Sequence, residues 1–142
     1  MRVQITRVDP ELSLPTYATP GSVGFDLITR VTTTVEPGAS ARIPSNVIVA
    51  TPPGYMLLIA VRSSTPRRTG LRLTNAVGIV DQDYRGPADE IHVDVSNATD
   101  CPVTVQRGDR IAQAVFVKVD QAEWDETSQA DAPTRGGFGS TG

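Results

Sequence analysis

Residues 90–119 read EIHVDVSNATDCPVTVQRGDRIAQAVFVKV, and their pattern decides the fold. Apolar and polar residues alternate in EIHVDVSN and in RIAQAVFVKV, a period of two that turns one face of a strand inward and the other outward. Between these runs, NATD and RGD supply the Asn, Asp and Gly that tight turns require. The same grammar extends outward through RVQITRV, ARIPSNVIVA and GYMLLIAV, punctuated by EPGA, PPG and RGP. Val, Ile and Thr number 41 against 22 for Leu, Ala and Met together. Side chains stiff at χ1 therefore dominate, and these suit a pleated surface better than a helix. An all-β sandwich or barrel is predicted. Eleven prolines and twelve glycines would interrupt most helices, leaving room for a helical turn only around 74–76 or 121–126. RGD at 107–109 reads as a hairpin turn between two strands, not as an adhesion signal.

The chain has 142 residues, enough for one domain that buries about two-thirds of its unfolded surface. Its apolar fraction of 39% and charged fraction of 20% exclude a disordered, collagen-like or coiled-coil chain. Thirteen basic and sixteen acidic residues leave a net charge of −3, which argues against stable nucleic-acid binding. No apolar run is long enough for a bilayer, and MRVQITRVDP has no signal-like core. The expected setting is soluble, away from membranes, in the cytoplasm of a cell or of a viral host. Without a secretory signal, Asn97-Ala98-Thr99 should not meet the glycosylation machinery. A single cysteine, Cys101, and a single histidine, His92, cannot by themselves build a disulfide or a zinc site. Alternation with Ile91, Val93 and Val95 reads His92 as the outward residue of a strand. Residues 120–142 lose the strand pattern and turn acidic, then glycine-rich, which predicts a mobile arm.

Two stretches concentrate charge. RSSTPRRTGLR, residues 62–72, carries four arginines and no acid, a set of forked donors suited to phosphate. Residues 75–97 oppose it with Asp81, Asp83, Asp89, Glu90 and Asp94 against Arg85. A nucleoside triphosphate with Mg²⁺ would satisfy both signs, since magnesium prefers carboxylate, phosphate and water oxygens. A carboxylate nearby could orient the attacking water. The plainer readings are a solvated basic loop and an Asp/Gly hairpin turn. There is no GxxxxGK[ST] and no GxGxxG cradle, so side chains and loops must hold the phosphates.

Five stretches in order resemble the trimeric dUTPases: PGSVGFDL (20–27), VRSSTPRRTGL (61–71), NAVGIVDQDYRG (75–86), RGDRIAQAVF (107–116) and RGGFGSTG (135–142). The resemblance implies a jelly-roll-like β-barrel core over 1–119 and a C-terminal arm over 120–142 that closes a neighbouring subunit's site in a homotrimer. It implies Mg²⁺-dependent hydrolysis of dUTP to dUMP and pyrophosphate, which limits uracil in DNA and supplies dUMP for dTMP synthesis. By the same resemblance, Asp81 polarises the water that attacks the α-phosphate, and Tyr84 stacks on deoxyribose, leaving no room for a 2′-hydroxyl. Asn75 and the backbone of Gly78, Ile79 and Val80, in the same hairpin, read the uracil edge. Arg62, Ser63, Ser64 and Gln113 contact phosphate, while Asp26 helps hold magnesium through water. From the arm, Phe138 covers uracil, Arg135, Ser140 and Thr141 engage the γ-phosphate, and Gly139 lies between them at the substrate. The chain departs from the commonest pattern in reading RSS for RSG, in a shortened RGGFG arm motif, and in a hairpin exit lengthened by GPADE.

A related enzyme, dCTP deaminase, or a bifunctional deaminase/dUTPase, is the alternative, because RSS followed by Arg67 resembles the deaminase stretch and Asp94 stands where the deaminase has a catalytic glutamate. Tyr84 and FGSTG favour the hydrolase. A binding protein that kept the fold and lost the reaction would lack Asp81, Tyr84 or the arm, and all are present in the sequence.

Overall fold

The computed structural model describes residues 1–137. Among them the elements run β1 (Ile5–Arg7), β2 (Phe25–Leu27), β3 (Thr33–Val35), β4 (Ser40–Pro44), β5 (Val47–Val49), β6 (Tyr55–Val61), α1 (Thr65–Thr69), β7 (Leu71–Leu73), β8 (Gly78–Val80), β9 (His92–Asn97), β10 (Val103–Val105) and β11 (Ala112–Lys118). The strand pairings are antiparallel. A four-stranded sheet has the order β2-β11-β6-β8 and a three-stranded sheet the order β4-β9-β7, while β1-β5 and β10-β3 form two-stranded ribbons. Alternation supplies the core, with Phe25 and Leu27, Leu57 and Ile59, Val93 and Val95, and Ala112 and Ala114 all buried. Each full burial of a Leu, Ile, Val or Phe contributes about 1.5–3 kcal/mol. His92 opens β9 on its exposed side, as its alternation predicts.

Three local expectations are corrected. The helix lies at Thr65–Thr69, not at 74–76 or 121–126. Pro66 sits in its first turn, where a missing N–H costs nothing, and Gly70 ends it at φ 73°, so a proline and a glycine delimit this helix where they were read as barring one. The RGD turn is not a hairpin: Gly108 turns at φ 94°, but β10 pairs with β3 while β11 pairs with β2 and β6. It is a corner between sheets, pinned by Gly108 N–H on the Thr29 carbonyl at 2.8 Å and Thr29 N–H on the Asp109 carbonyl at 2.8 Å. Finally, Asn75 to Gly86 is not a two-stranded ribbon. β8 pairs with β6, and residues 81–91 form no strand, because successive turns and Pro87, which lacks an N–H, prevent a return ladder.

ARIPSNVIVA splits into β4 and β5 in different sheets. The break is Asn46, a left-handed residue at φ 69°. Its side chain accepts from Asp9 N–H at 2.7 Å and donates to the Asp9 carbonyl at 3.1 Å. β11 ends at Lys118, Val119 N–H bonds the Gly54 carbonyl at 2.9 Å, and residues 120–137 then run exposed outside any strand or helix. Trp124 on this segment is 92% exposed. No helix among the described residues is long and apolar enough to cross a membrane.

Candidate active site

At one end of the four-stranded sheet, register brings three distant residues abreast. Gln113 on β11 pairs with Asp26 on β2 and with Ala60 on β6. Phe25 and Leu27 face the core, so Asp26 between them lies on the opposite face of the sheet. A Cβ on Gly24 would come within 2.9 Å of Gln113 Oε1, so a side chain there would make the Gln113 amide shift. Arg62 follows β6, its N–H bonded to the Ile111 carbonyl at 3.0 Å. Its Nε lies 3.0 Å from Asp26 Oδ1, and Arg110 Nη1 lies 3.5 Å from Asp26 Oδ2. One carboxylate thus organises two guanidinium groups.

Ser63 and Ser64 form the turn into α1. Buried Thr65 anchors that turn, its hydroxyl donating to the Ile111 carbonyl at 2.7 Å. Ser64 occupies the N-cap position without making a side-chain cap bond, so its hydroxyl is not consumed by the helix. A cavity of about 230 Å³ opens here, lined by Arg62, Ser64, Thr65, Arg68 and Thr69 together with residues 108–111. Three arginines, hydroxyls and backbone around one depression suit a polyanion.

A second cavity, about 510 Å³, opens beside β8. Asn75, Gly78, Ile79, Val80 and Tyr84 line it, with Ile59 and Ile91 supplying apolar surface and Arg42, His92 and Asp94 a charged border. Because β8 is the last strand of its sheet, one side of its backbone has no strand to pair with among the described residues. An unpaired row of N–H and C=O groups next to an amide side chain can read the edge of a planar base. Gly78 stands opposite Ile59, where a Cβ would press to 3.0 Å on that side chain.

The predicted residues therefore fall into two groups within one chain. Arg62 and Ser64 line the first cavity, beside Asp26 and Gln113, while Asn75, Gly78, Ile79, Val80 and Tyr84 line the second. Asp81 lines neither; it is exposed and borders a further depression of about 400 Å³ with Tyr55, Met56 and Asp83. Val80 pairs with Leu57, so Asp81 comes abreast of Met56. Arg62 lies six residues further along that line, roughly 20 Å away at strand rise. Ser63 and Arg135 are exposed, and Phe138, Gly139, Ser140 and Thr141 lie outside the described residues.

Sequence reading missed Arg42 as a cavity residue and the ion pair behind Tyr84, and it named Asp94, which also borders the second cavity, only for the deaminase alternative. Glu90 is 7% exposed, and its two oxygens accept from Arg30 Nε and Nη2 at 2.9 and 2.8 Å. Burial raises the Glu90 carboxyl, but the Arg30 fork, the Asn46 N–H at 2.8 Å and nearby positive charge outweigh it and hold the group below its ordinary value. Glu90 raises the Arg30 guanidinium in turn. Sixty residues separate the two, and no local pattern announces the contact. Asp94 is committed otherwise: it accepts from Thr74 Oγ1 at 3.1 Å and pairs with Arg42 at 3.7 Å.

A profile of the dUTPase family matches residues 10–142. The deoxyuridine 5′-triphosphate nucleotidohydrolase of Thermobifida fusca is 43% identical over 145 residues, spanning all of this chain and 79% of that protein. The chain belongs to the dUTPase family. A crystal structure of dUTPase from Streptococcus mutans superposes with a TM-score of 0.77 at 30% identity, covering 84% of this chain and 98% of that one. The Staphylococcus bacteriophage 80alpha dUTPase with dUPNHPP superposes with a TM-score of 0.87 at 22% identity, covering 99% and 98%. The fold of this chain is accordingly the jelly-roll-like fold of dUTPases.

Proposed function

We propose that this chain is a dUTP diphosphatase: water attacks the α-phosphorus of dUTP, the bond to the bridging α,β-oxygen breaks, and dUMP and pyrophosphate leave. The observation that carries this reading is the cavity where an amide, Asn75, an unpaired strand edge at Gly78–Val80 and an exposed ring, Tyr84, converge. Backbone groups fixed in a sheet are preorganised donors and acceptors for a uracil edge, and their closeness leaves little room for a C5 methyl. Tyr84 would flank the sugar. Arg62, Ser63, Ser64 and Gln113 would bind the triphosphate, and Asp81 would take up the proton of the attacking water.

Magnesium fits the donor set as an outer-sphere partner. Among the described residues no three acids, histidines or cysteines gather to cage a metal, and both oxygens of Asp26 are already near arginines. Asp26 would therefore hold the ion through water, with the triphosphate as its main ligand. Bound there, it would neutralise charge on the phosphates.

The separation of Asp81 from Arg62 supports a site shared between copies. Asp81 of one chain would meet Arg62 and Ser64 of another in a homotrimer, and the arm over 120–142 would close a site with Arg135, Phe138, Gly139, Ser140 and Thr141. Asp94, engaged by Thr74 and Arg42, is poorly placed to serve as a deaminase acid.

A panel of dUTP, dCTP, dTTP and UTP with magnesium, scored separately for pyrophosphate and ammonia, tests the reading. Pyrophosphate from dUTP is expected, with dTTP and UTP each turned over at least about 100-fold less efficiently. Ammonia from dCTP would overturn it.

A further inference from the structure

The segment 81–89, which carries both Asp81 and Tyr84, is attached to the body at very few points. Its backbone bonds are internal: Tyr84 N–H to the Asp81 carbonyl, Arg85 N–H to Asp83, and Asp89 N–H to Gly86. The Asp89 carboxylate also turns back on Gly86 N–H. Among the described residues, the side-chain hydrogen bond that leaves the segment runs from the Tyr84 hydroxyl to the Glu90 carbonyl, at 3.2 Å. That carbonyl is a fixed point. His92 Nδ1 meets it at 2.8 Å, the Glu90 carboxylate is gripped by Arg30 and by Asn46 N–H, and the next residue, Ile91, exchanges backbone bonds with Ser45 and Val47 at 2.9 Å each. Ser45 Oγ adds a further bond to the Ile91 carbonyl at 2.7 Å.

We infer that Glu90 is a positioning residue for sugar selection: clamped by Arg30 and Asn46, it presents its carbonyl as the anchor for the Tyr84 hydroxyl and so sets where the ring stands at the mouth of the cavity. The inference rests on the reading of Tyr84 as the sugar contact and deepens it. A ring at 40% exposure on a loop with few attachments would otherwise sample several rotamers, and a ring that moves cannot exclude a hydroxyl by sterics. The lengthened exit at Pro87-Ala88-Asp89 makes such an anchor more necessary, since a longer segment has more conformations to lose.

The test is a double-mutant cycle on the full chain, reading the ratio of kcat/KM for dUTP to that for UTP. Tyr84→Phe keeps the ring and removes the anchor, and the ratio should fall roughly two- to five-fold, the scale of one modest hydrogen bond. Glu90→Gln keeps the side-chain shape but weakens the Arg30 fork, and should lower the same ratio by a similar factor. The decisive reading is the double variant: if Glu90 acts through the hydroxyl, Glu90→Gln has no further effect on the ratio in the Tyr84→Phe background. A merely structural role would lower dUTP and UTP turnover alike and leave the ratio unmoved, and that result overturns the inference. Should Glu90→Gln not fold, Arg30→Lys, which keeps the charge and loses the fork, takes its place in the cycle. Tyr84→Ala separates the two levels. If Tyr84→Ala collapses the ratio while Tyr84→Phe and Glu90→Gln do not, Tyr84 touches the sugar and the anchor is wrong; if Tyr84→Ala leaves it intact, the sugar contact itself is wrong.

Discussion

Asp26 and Asp81 lie towards opposite ends of the same four-stranded sheet, and their surroundings give them different capacities. The Asp26 side chain, 18% exposed and flanked by Arg62 and Arg110, is committed to accepting from cations. Asp81 is exposed, and among the described residues its carboxylate makes no hydrogen bond or ion pair, which leaves it free to accept a proton from water. Asp81→Asn should therefore lower kcat for dUTP by at least about 100-fold, the usual worth of a general base, while calorimetric affinity for an unreactive dUTP analogue changes little. Turnover within a few-fold of the parent enzyme would remove Asp81 from the chemistry. Sequence reading singled out Asp81 through the resemblance to dUTPases, since charge alone left five acids from Asp81 to Asp94. It could not show that Asp26 belongs with Arg62, because their meeting depends on how β2, β11 and β6 align.

At the scale of elements, α1 shows how five residues shape the arginine-lined cavity. Thr65 ties its start to Ile111, just before the strand carrying Gln113, and Gly70 at φ 73° closes it, with Gly70 N–H on the Pro66 carbonyl at 2.9 Å. A Cβ on Gly70 would collide with the Thr99 side chain. Gly70→Ala should cost about 3 kcal/mol from the left-handed backbone and the overlap together, a fall of about 10 °C in Tm for a chain of this size; scanning calorimetry measures it. The long strands β6, β9 and β11 were legible because their strand pattern, a continuous apolar run in β6 and alternation in β9 and the start of β11, extends over six or seven residues between turn signals. α1 was not, since five residues hold little more than one helical turn and show no period. The edge status of β8 was likewise hidden, because it depends on which strand fails to pair with it.

For the whole molecule, catalysis would be a property of the assembly if, as proposed, Asp81 and Arg62 of one site come from different copies. Two inactive variants, Asp81→Asn and Arg62→Ala, refolded together at equal amounts, should regain about one quarter of parental activity if each site takes Asp81 and Arg62 from different copies. No recovery above the separate variants would place both residues of a site in one chain. Acid stability is a second global property. Because Glu90 is held below its ordinary pKa, its pairing with Arg30 stabilises the fold above pH about 4.5, the unfolded Glu value, and that stability is lost as pH falls through the lower folded value. Tm should decline as pH falls below about 4.5, and Glu90→Gln should flatten that limb while lowering stability at pH 7 by about 3 kcal/mol, the cost of breaking a largely buried pair.

Local chemistry alone determined the β class of this chain, most of its long strands, its turn positions and the polyanion-friendly arginine stretch. These follow from periodicity, turn propensity and side-chain functional groups, which a neighbourhood of a few residues already expresses. Tertiary structure alone decided the corner at RGD, the Arg30–Glu90 clamp and the distribution of the candidate site residues over separate cavities. Each of these arises from strand order and register, which set distances between residues far apart in the chain and are a property of the packed whole.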